Sequence, residues 1–488
     1  MGKSIIKNYI YNNILLIFNL AYPLITTIYI NKIFSVKLIG EVSFSLSIVT
    51  IFISLSSLGI EAYGTREVAR NRNDHLSLNK IVSELIILHF FSILGFLFLY
   101  LMIVFSYQRF YQYINILLIL SLNLIMSLFS LEWFYIGMEE YEYIAKRSIF
   151  IKLTAFLFMI FFIKREEDLY LYLILLVGGI SLNGIFNIYN LKKYVKFTLS
   201  NLKIIRHIKE MKYFYFQVMI GILANGLDQV ILGTNSNMNE VAYYSRSRQL
   251  IGIFMIISSS FSKTILSKIN NFVVYEKKKY EELLILSIKI TIFFMFPLTI
   301  LTFILSKELF FIIGGYKFLF GATTLKILSL VIICSGISSW LNYQICIPMK
   351  KEKIIFQALI ILVISSLFFS VLLSKNFGAK GVALGITIGE ILNLVFIIYL
   401  LRKEKIKFIY FSAEIVEFIF SSIITGIIIK IIEINMKITL KNSIFILILF
   451  GSIYITFIII LDFILFNKKL FNCLKEKVDE KIFKCYKK

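Results

Sequence analysis

Asp228, Arg246 and Arg248 are the charges in this sequence best placed to do chemistry, because all three lie inside apolar stretches that flank a turn near Asn237. Asp228 and Arg246 stand equally far from that turn, so at ~1.5 Å per residue both would lie ~13 Å deep in a membrane. A charge in a bilayer costs ~2.5–3.5 kcal/mol on insertion scales, and such groups pair or face water. Arg246 and Arg248 point about 200° apart on a helix, so they cannot both face Asp228. One can pair while the other fronts a wet cavity, where an arginine fork suits phosphate oxygens. A purely structural Asp–Arg bridge would explain the same residues. Arg248 shares a face with Gly252 and Ser259 and is the expected ligand contact, while Arg246 is the expected partner of Asp228. Asn225, with Gln217 and Gly221, continues the Asp228 face.

Other polar groups recur at helical spacing. Asn19, Tyr22, Pro23 and Thr26 form one stripe, and Ser43, Ser47, Thr50, Ser54 and Ser57 another. Asn183, Asn187 and Asn190 follow Gly179, and Ser335, Ser339 and Asn342 make a further face. Each could serve helix packing, but several in one chain favour a shared aqueous cavity, to which Lys152, Asn19 and Ser339 are assigned. Lys152, Lys289 and Lys326 lie near span ends, where long side chains snorkel. Glu390 is mid-span, placed either to hold a coupling cation, H+ or Na+, or to pair with a nearby lysine. Glu61, Arg66, Glu132 and Arg147 gather where spans meet a basic loop and are read as a gate. His89 is expected to pack with a hydrogen bond. No metal-ligand or nucleophile constellation and no phosphate-binding Walker loop stands out, so neither a metal, a cofactor nor direct ATP use is expected.

The elements that must hold these residues are membrane helices. Of 488 residues 59% are hydrophobic, mean hydropathy is +0.84, and there are three prolines. That composition defines an all-α polytopic membrane protein. The net charge of +23 would suggest nucleic acid in a soluble chain, but here the lysines sit in short loops, so no nucleic-acid partner is expected. Cys334, Cys346, Cys473 and Cys485 have no metal spacing and read as reduced thiols. No cleavage site follows the first apolar run, which is expected to stay as an anchor.

Fourteen apolar segments are long enough to span: 12–33, 38–60, 80–105, 113–137, 147–164, 169–191, 212–235, 240–264, 283–306, 321–347, 353–374, 378–401, 410–431 and 442–466. One alternate set of loops carries 34 of the 52 Lys and Arg residues and the other 12, which predicts both termini in the cytoplasm. Residues 1–191 and 212–405 read as two six-helix bundles, joined by a basic cytoplasmic linker at 192–211. Each bundle opens with a polar-faced hairpin, the mark of an internal repeat around a central cavity. Residues 406–467 add two Ile-rich helices with few polar positions, read as peripheral, before a basic cytoplasmic tail at 468–488. The outer loop 307–320 is expected to lie along the membrane surface. Gly381, Gly385 and Gly389 form a small-residue face whose default meaning is close packing.

The order of Gly64-Thr65-Arg66-Glu67, Glu132-Trp133-Phe134, Asp228 with Leu232-Gly233, Val241-Ala242-Tyr243-Tyr244-Ser245 and Gly378-Ala379-Lys380-Gly381-Val382-Ala383 resembles the polysaccharide transporter family over residues 5–405. That family belongs to the multidrug/oligosaccharidyl-lipid/polysaccharide exporter superfamily. The resemblance implies a bacterial inner-membrane flippase for undecaprenyl-pyrophosphate-linked O-antigen or capsule repeat units, working by alternating access. It implies lipid-linked oligosaccharide and membrane lipids as partners, alongside a polysaccharide polymerase and chain-length regulator. Relatives often carry a basic residue after the acid of the seventh span, where this chain has Gln229, and many have twelve spans. A drug exporter of the same superfamily shares the expected fold. A glycosyltransferase or O-antigen polymerase would need a sizeable outer loop that this sequence lacks.

Overall fold

In lipid every backbone amide needs an internal partner, so an apolar chain of this kind must be helical. The computed structural model describes residues 5–200, 202–406 and 412–465, and the predicted basic tail and its two cysteines lie outside that set. Among the described residues the regular structure is helical throughout. The chain divides into two compact units, Met1–Ser245 and Arg246–Lys488.

The first unit contains α1 (Ile5–Ile33), α2 (Val36–Ser56), α3 (Ile60–Asn71), α4 (His75–Ser106), α5 (Ile114–Met126), α6 (Glu132–Gly137), α7 (Tyr141–Phe162), α8 (Leu169–Leu191), α9 (Ile204–Asn225) and α10 (Leu227–Asn235). α11 (Met238–Tyr275) starts here and runs on into the second unit. Two successive left-handed residues, Leu58 (φ 50°) and Gly59 (φ 80°), end α2 and turn the chain into α3. Asp74 caps α4 by accepting from the amides of Leu76 and Ser77. α1 and α8 pack on α7, α2 and α8 on α5, and α3 on α6. The Glu132-Trp133-Phe134 stretch forms α6, and Trp133, Phe134 and Tyr135 are buried with Tyr63, Val68 and Leu131 in the core beneath it.

The second unit continues with α12 (Lys277–Ile304), α13 (Ser306–Gly314), α14 (Ala322–Leu341), α15 (Glu352–Lys403), α16 (Ala413–Ile434) and α17 (Leu440–Leu465). α13 supplies helix to the outer loop predicted to lie along the membrane. α15 folds back on itself at Gly378, whose φ of 53° and ψ of −132° leave the helical region. A β-carbon on Gly381 would meet the Leu373 carbonyl, one on Gly385 the Ser370 amide, and one on Gly389 the Ser366 hydroxyl. The two arms are therefore antiparallel and in contact along the predicted glycine face, which is the close packing expected of small residues.

Eleven helices among the described residues are long and apolar enough to cross a membrane. The two arms of α15 count there as one, and α7 and α11 are not among the eleven. These account for the fourteen predicted spans.

The 192–211 segment is held against α4, and one local expectation, for α16, needs correction. The amides of Lys196, Thr198 and Lys203 donate to Asn79, Ser83 and Glu84 of α4, at 2.9, 3.0 and 2.5 Å, and α9 begins at Ile204. α16 is not poor in polar groups. Glu414, Glu417, Ser421, Ser422 and Thr425 are all buried, at a spacing of three and four that puts them on one face. Lys289 of α12, expected to snorkel, instead meets Glu414 at 3.1 Å.

Candidate functional site

α7 brings two cations into the first unit in different ways. Arg147 has a side chain only 3% exposed, and all three guanidinium nitrogens are engaged. Nε donates to Asn183 at 3.0 Å, Nη1 to Asn187, and Nη2 to Glu132 at 2.7 Å. The guanidinium also lies over the Tyr143 ring, 5.4 Å from its centre. Asn183 and Asn187 thus give their α8 stripe a specific purpose. Glu61 is an electrostatic neighbour of Glu132, so three of the four predicted gate residues gather here. Arg66 goes elsewhere: it pairs with Glu67 at 2.9 Å and Glu210 at 3.2 Å, and stacks over Tyr63 and Phe214.

Lys152 stands five residues further along α7. Its ammonium donates to the Asn19 carbonyl oxygen and lies 5.7 Å from the centre of the Tyr22 ring. No carboxylate among the described residues is within ion-pair distance. The structure therefore joins Asn19 and Lys152 directly, with Glu132 and Arg147 as the electrostatic neighbours of the ammonium further off.

Asp228 of α10 is buried and accepts from the Tyr244 hydroxyl and from the Gln229 amide at 2.8 Å. Gln229, at the place where relatives carry a basic residue, thus contributes its backbone. In the second unit Arg246 donates to Gln249 at 3.4 Å. Arg248 is an electrostatic neighbour of the buried Glu390, which also bonds Asn393. Asn393 in turn donates to Ser338 at 3.4 Å, while the half-buried Ser339 beside it has no described bond. Glu390 therefore has an arginine, rather than a lysine, as its electrostatic neighbour. A π-helical turn follows at Asn342–Cys346, where the buried Asn342 Oδ1 has no partner among the described residues. The side chains of Asn225 and Ser259 lie outside the described residues.

The sequence reading missed a buried cluster at the loop end of the first unit. Glu84 of α4 is fully buried and is held by Arg206 at 2.7 Å, His207 Nε2 at 2.8 Å and the Lys203 amide. With Glu84 ionised, Nε2 carries the imidazole proton and Nδ1 accepts from the Tyr63 hydroxyl at 2.7 Å. A cavity of about 350 Å³ opens beside it, lined by Glu67, Lys80, Arg206 and Glu210 among others. Nearby, Tyr194 donates to Glu140 at 2.7 Å, and burial pushes its phenol up to about 12. His89 does not meet expectation, since its buried Nε2 has no partner among the described residues.

This multi-pass helical fold is shared with solved membrane proteins. It matches the lipid II flippase MurJ in an inward closed conformation with a TM-score of 0.75, at 16% identity, over 93% of this chain and 99% of the other. It matches an inward-facing multidrug resistance MATE family transporter of the MOP superfamily with a TM-score of 0.60, at 15% identity, over 78% and 93%. A candidate O-antigen transporter of Shigella dysenteriae is 25% identical over 399 residues, 79% of this chain and 98% of that protein. Residues 5–266 match the family model described as polysaccharide biosynthesis protein, and the chain belongs to that family.

Proposed function

We propose that this protein is a flippase that moves an undecaprenyl-pyrophosphate-linked O-antigen or capsule repeat unit from the cytoplasmic to the periplasmic leaflet of the bacterial inner membrane, by alternating access and without covalent chemistry. The observation that carries the reading is Lys152, a cation within a span that rests on Asn19 and Tyr22 and makes no ion pair among the described residues, Glu132 being only its electrostatic neighbour. A fixed cation with neutral partners lowers the cost of bringing a pyrophosphate out of water. Asn19 would orient the ammonium and accept from sugar hydroxyls as the head group passes. The lipid tail stays in the bilayer, so only the head needs a polar path.

In this reading Arg248, biased by Glu390, also contacts phosphate. Glu390 is the place for a coupling proton or Na+. Both termini are cytoplasmic, as the lysine distribution favours. Family membership and the relationship to a candidate O-antigen transporter support the substrate class.

The test is reconstitution. Purified protein in liposomes should translocate a pyrophosphate-linked lipid without ATP, and Lys152→Ala and Arg248→Ala should each abolish this while inserting normally. Export of organic cations with no lipid movement would favour the drug exporter instead. Sugar-chain elongation by the pure protein would favour the polymerase.

A further inference from the structure

We propose that the second unit holds a separate phosphate-binding site where α12 ends and α13 begins. A cavity of about 390 Å³ opens there between α12, α13, α14 and α16. Its polar lining is Lys307, Lys326 and Lys430 with the hydroxyls of Ser306 and Thr323, on an apolar floor that includes Phe303. No carboxylate lines it. The two acids nearby are both on the Lys430 side: Glu433 pairs with Lys430 at 2.5 Å, and the buried Glu308 interacts with both. Lys307 and Lys326 have no carboxylate within ion-pair distance among the described residues. Lys326 lies over the Phe303 face, 4.4 Å from the ring centre.

Three ammonium groups around one pocket repel each other, and an anion relieves that repulsion. Lysine binds phosphate as a point charge, and three lysines with two hydroxyls match a group with several charged oxygens. The volume falls within the range of ligand pockets, large enough for a phosphate that carries a substituent. The site is at the end of its spans, where basic pockets between helices take anionic head groups. On the favoured orientation that is the periplasmic side. The occupant is a phosphate, supplied either as the diester of an anionic lipid or as the free ion, and the site uses none of the residues assigned to translocation.

The experiment is thermal denaturation of the purified full chain in detergent with added phosphatidylglycerol, phosphatidylcholine, or millimolar inorganic phosphate against chloride at equal ionic strength. A ligand that binds only the folded state raises the melting temperature. Phosphatidylglycerol should add a few degrees over phosphatidylcholine in the native protein. Lys307→Gln/Lys326→Gln should lose that increment while melting like the native protein in phosphatidylcholine, and Lys307→Arg/Lys326→Arg should keep it. If the double variant fails to fold, the exposed Lys307→Gln alone should lose part of it. A lipid increment without a phosphate one assigns the site to a head group, and an increment with both assigns it to phosphate in general. Equal increments in the native and glutamine proteins, or none with either ligand, would overturn the site. Transport in the liposome assay is read separately, so failure of this site leaves the flippase reading standing.

Discussion

Arg147 and Lys152 sit on one helix, less than two turns apart, and the protein treats them oppositely. Arg147 is buried and its three nitrogens are bound to Glu132, Asn183 and Asn187. Lys152 is half-buried and has Asn19 and an aromatic face. The same insertion cost is met in the first case by the fold and in the second only in part. A cation whose partners are complete is architecture. A cation held by neutral groups still has capacity to attract an anion. Glu84 belongs with Arg147 in this contrast, since its carboxylate is fully occupied by Arg206, His207 and the Lys203 amide.

The strongest way to break the contrast is Glu132→Ala. It strands a buried guanidinium, and we expect a loss of roughly 3 kcal/mol, the low end for breaking a buried pair because Glu132 itself is half-exposed. Adding Arg147→Ala should restore part of it. Reversible unfolding in detergent measures both, and additive losses would show that the pair is not coupled. Glu84→Gln comes next, at about 2 kcal/mol for weakened charged hydrogen bonds. Its signature is local: hydrogen exchange should quicken at the amides of Lys196, Thr198 and Lys203. Lys152→Ala should change stability by less than about 1 kcal/mol yet abolish translocation, and Lys152→Arg should keep part of the activity. Large destabilisation by Lys152→Ala would place it with Arg147 and remove the contrast.

The smallest expected effect is at Asp74, a capping carboxylate in water. Hydrogen bonds from the Ser77 hydroxyl and amide hold it below the usual carboxylate range. Its contribution is therefore present above that range and fades as pH falls through it. Asp74→Ala should flatten that part of the melting-temperature profile against pH.

Hydropathy made the fourteen spans legible because lipid demands long apolar helices, and periodicity exposed the Asn183 and Asn187 stripe. The partner of that stripe was not legible. Arg147 lies 36 and 40 residues from the two asparagines, and no local pattern encodes such a pairing. Glu84 and His207 are 123 residues apart, and Glu84 hid inside a span whose apolar neighbours gave no signal. The α16 stripe was legible by spacing but was obscured by the isoleucines between its members. Asn19 was legible on a polar face and Lys152 as a charge within a span, but their contact across 133 residues was not. The Tyr244 hydroxyl on Asp228 was missed because Asp228 was matched to an arginine, the residue type expected to pair with a buried acid.

The turn at Gly378 has a consequence for how the chain is threaded during synthesis. Unbroken, α15 would be a rod of 52 residues, ~78 Å at ~1.5 Å per residue, against a hydrocarbon layer of ~30 Å. Folded at Gly378, it forms a closed pair of crossings in contact along Gly381, Gly385 and Gly389. Those two crossings cancel, so whatever is translated after Lys403 returns to the side on which Glu352 began. The parity of α16, α17 and everything beyond them rests on a single residue without a side chain.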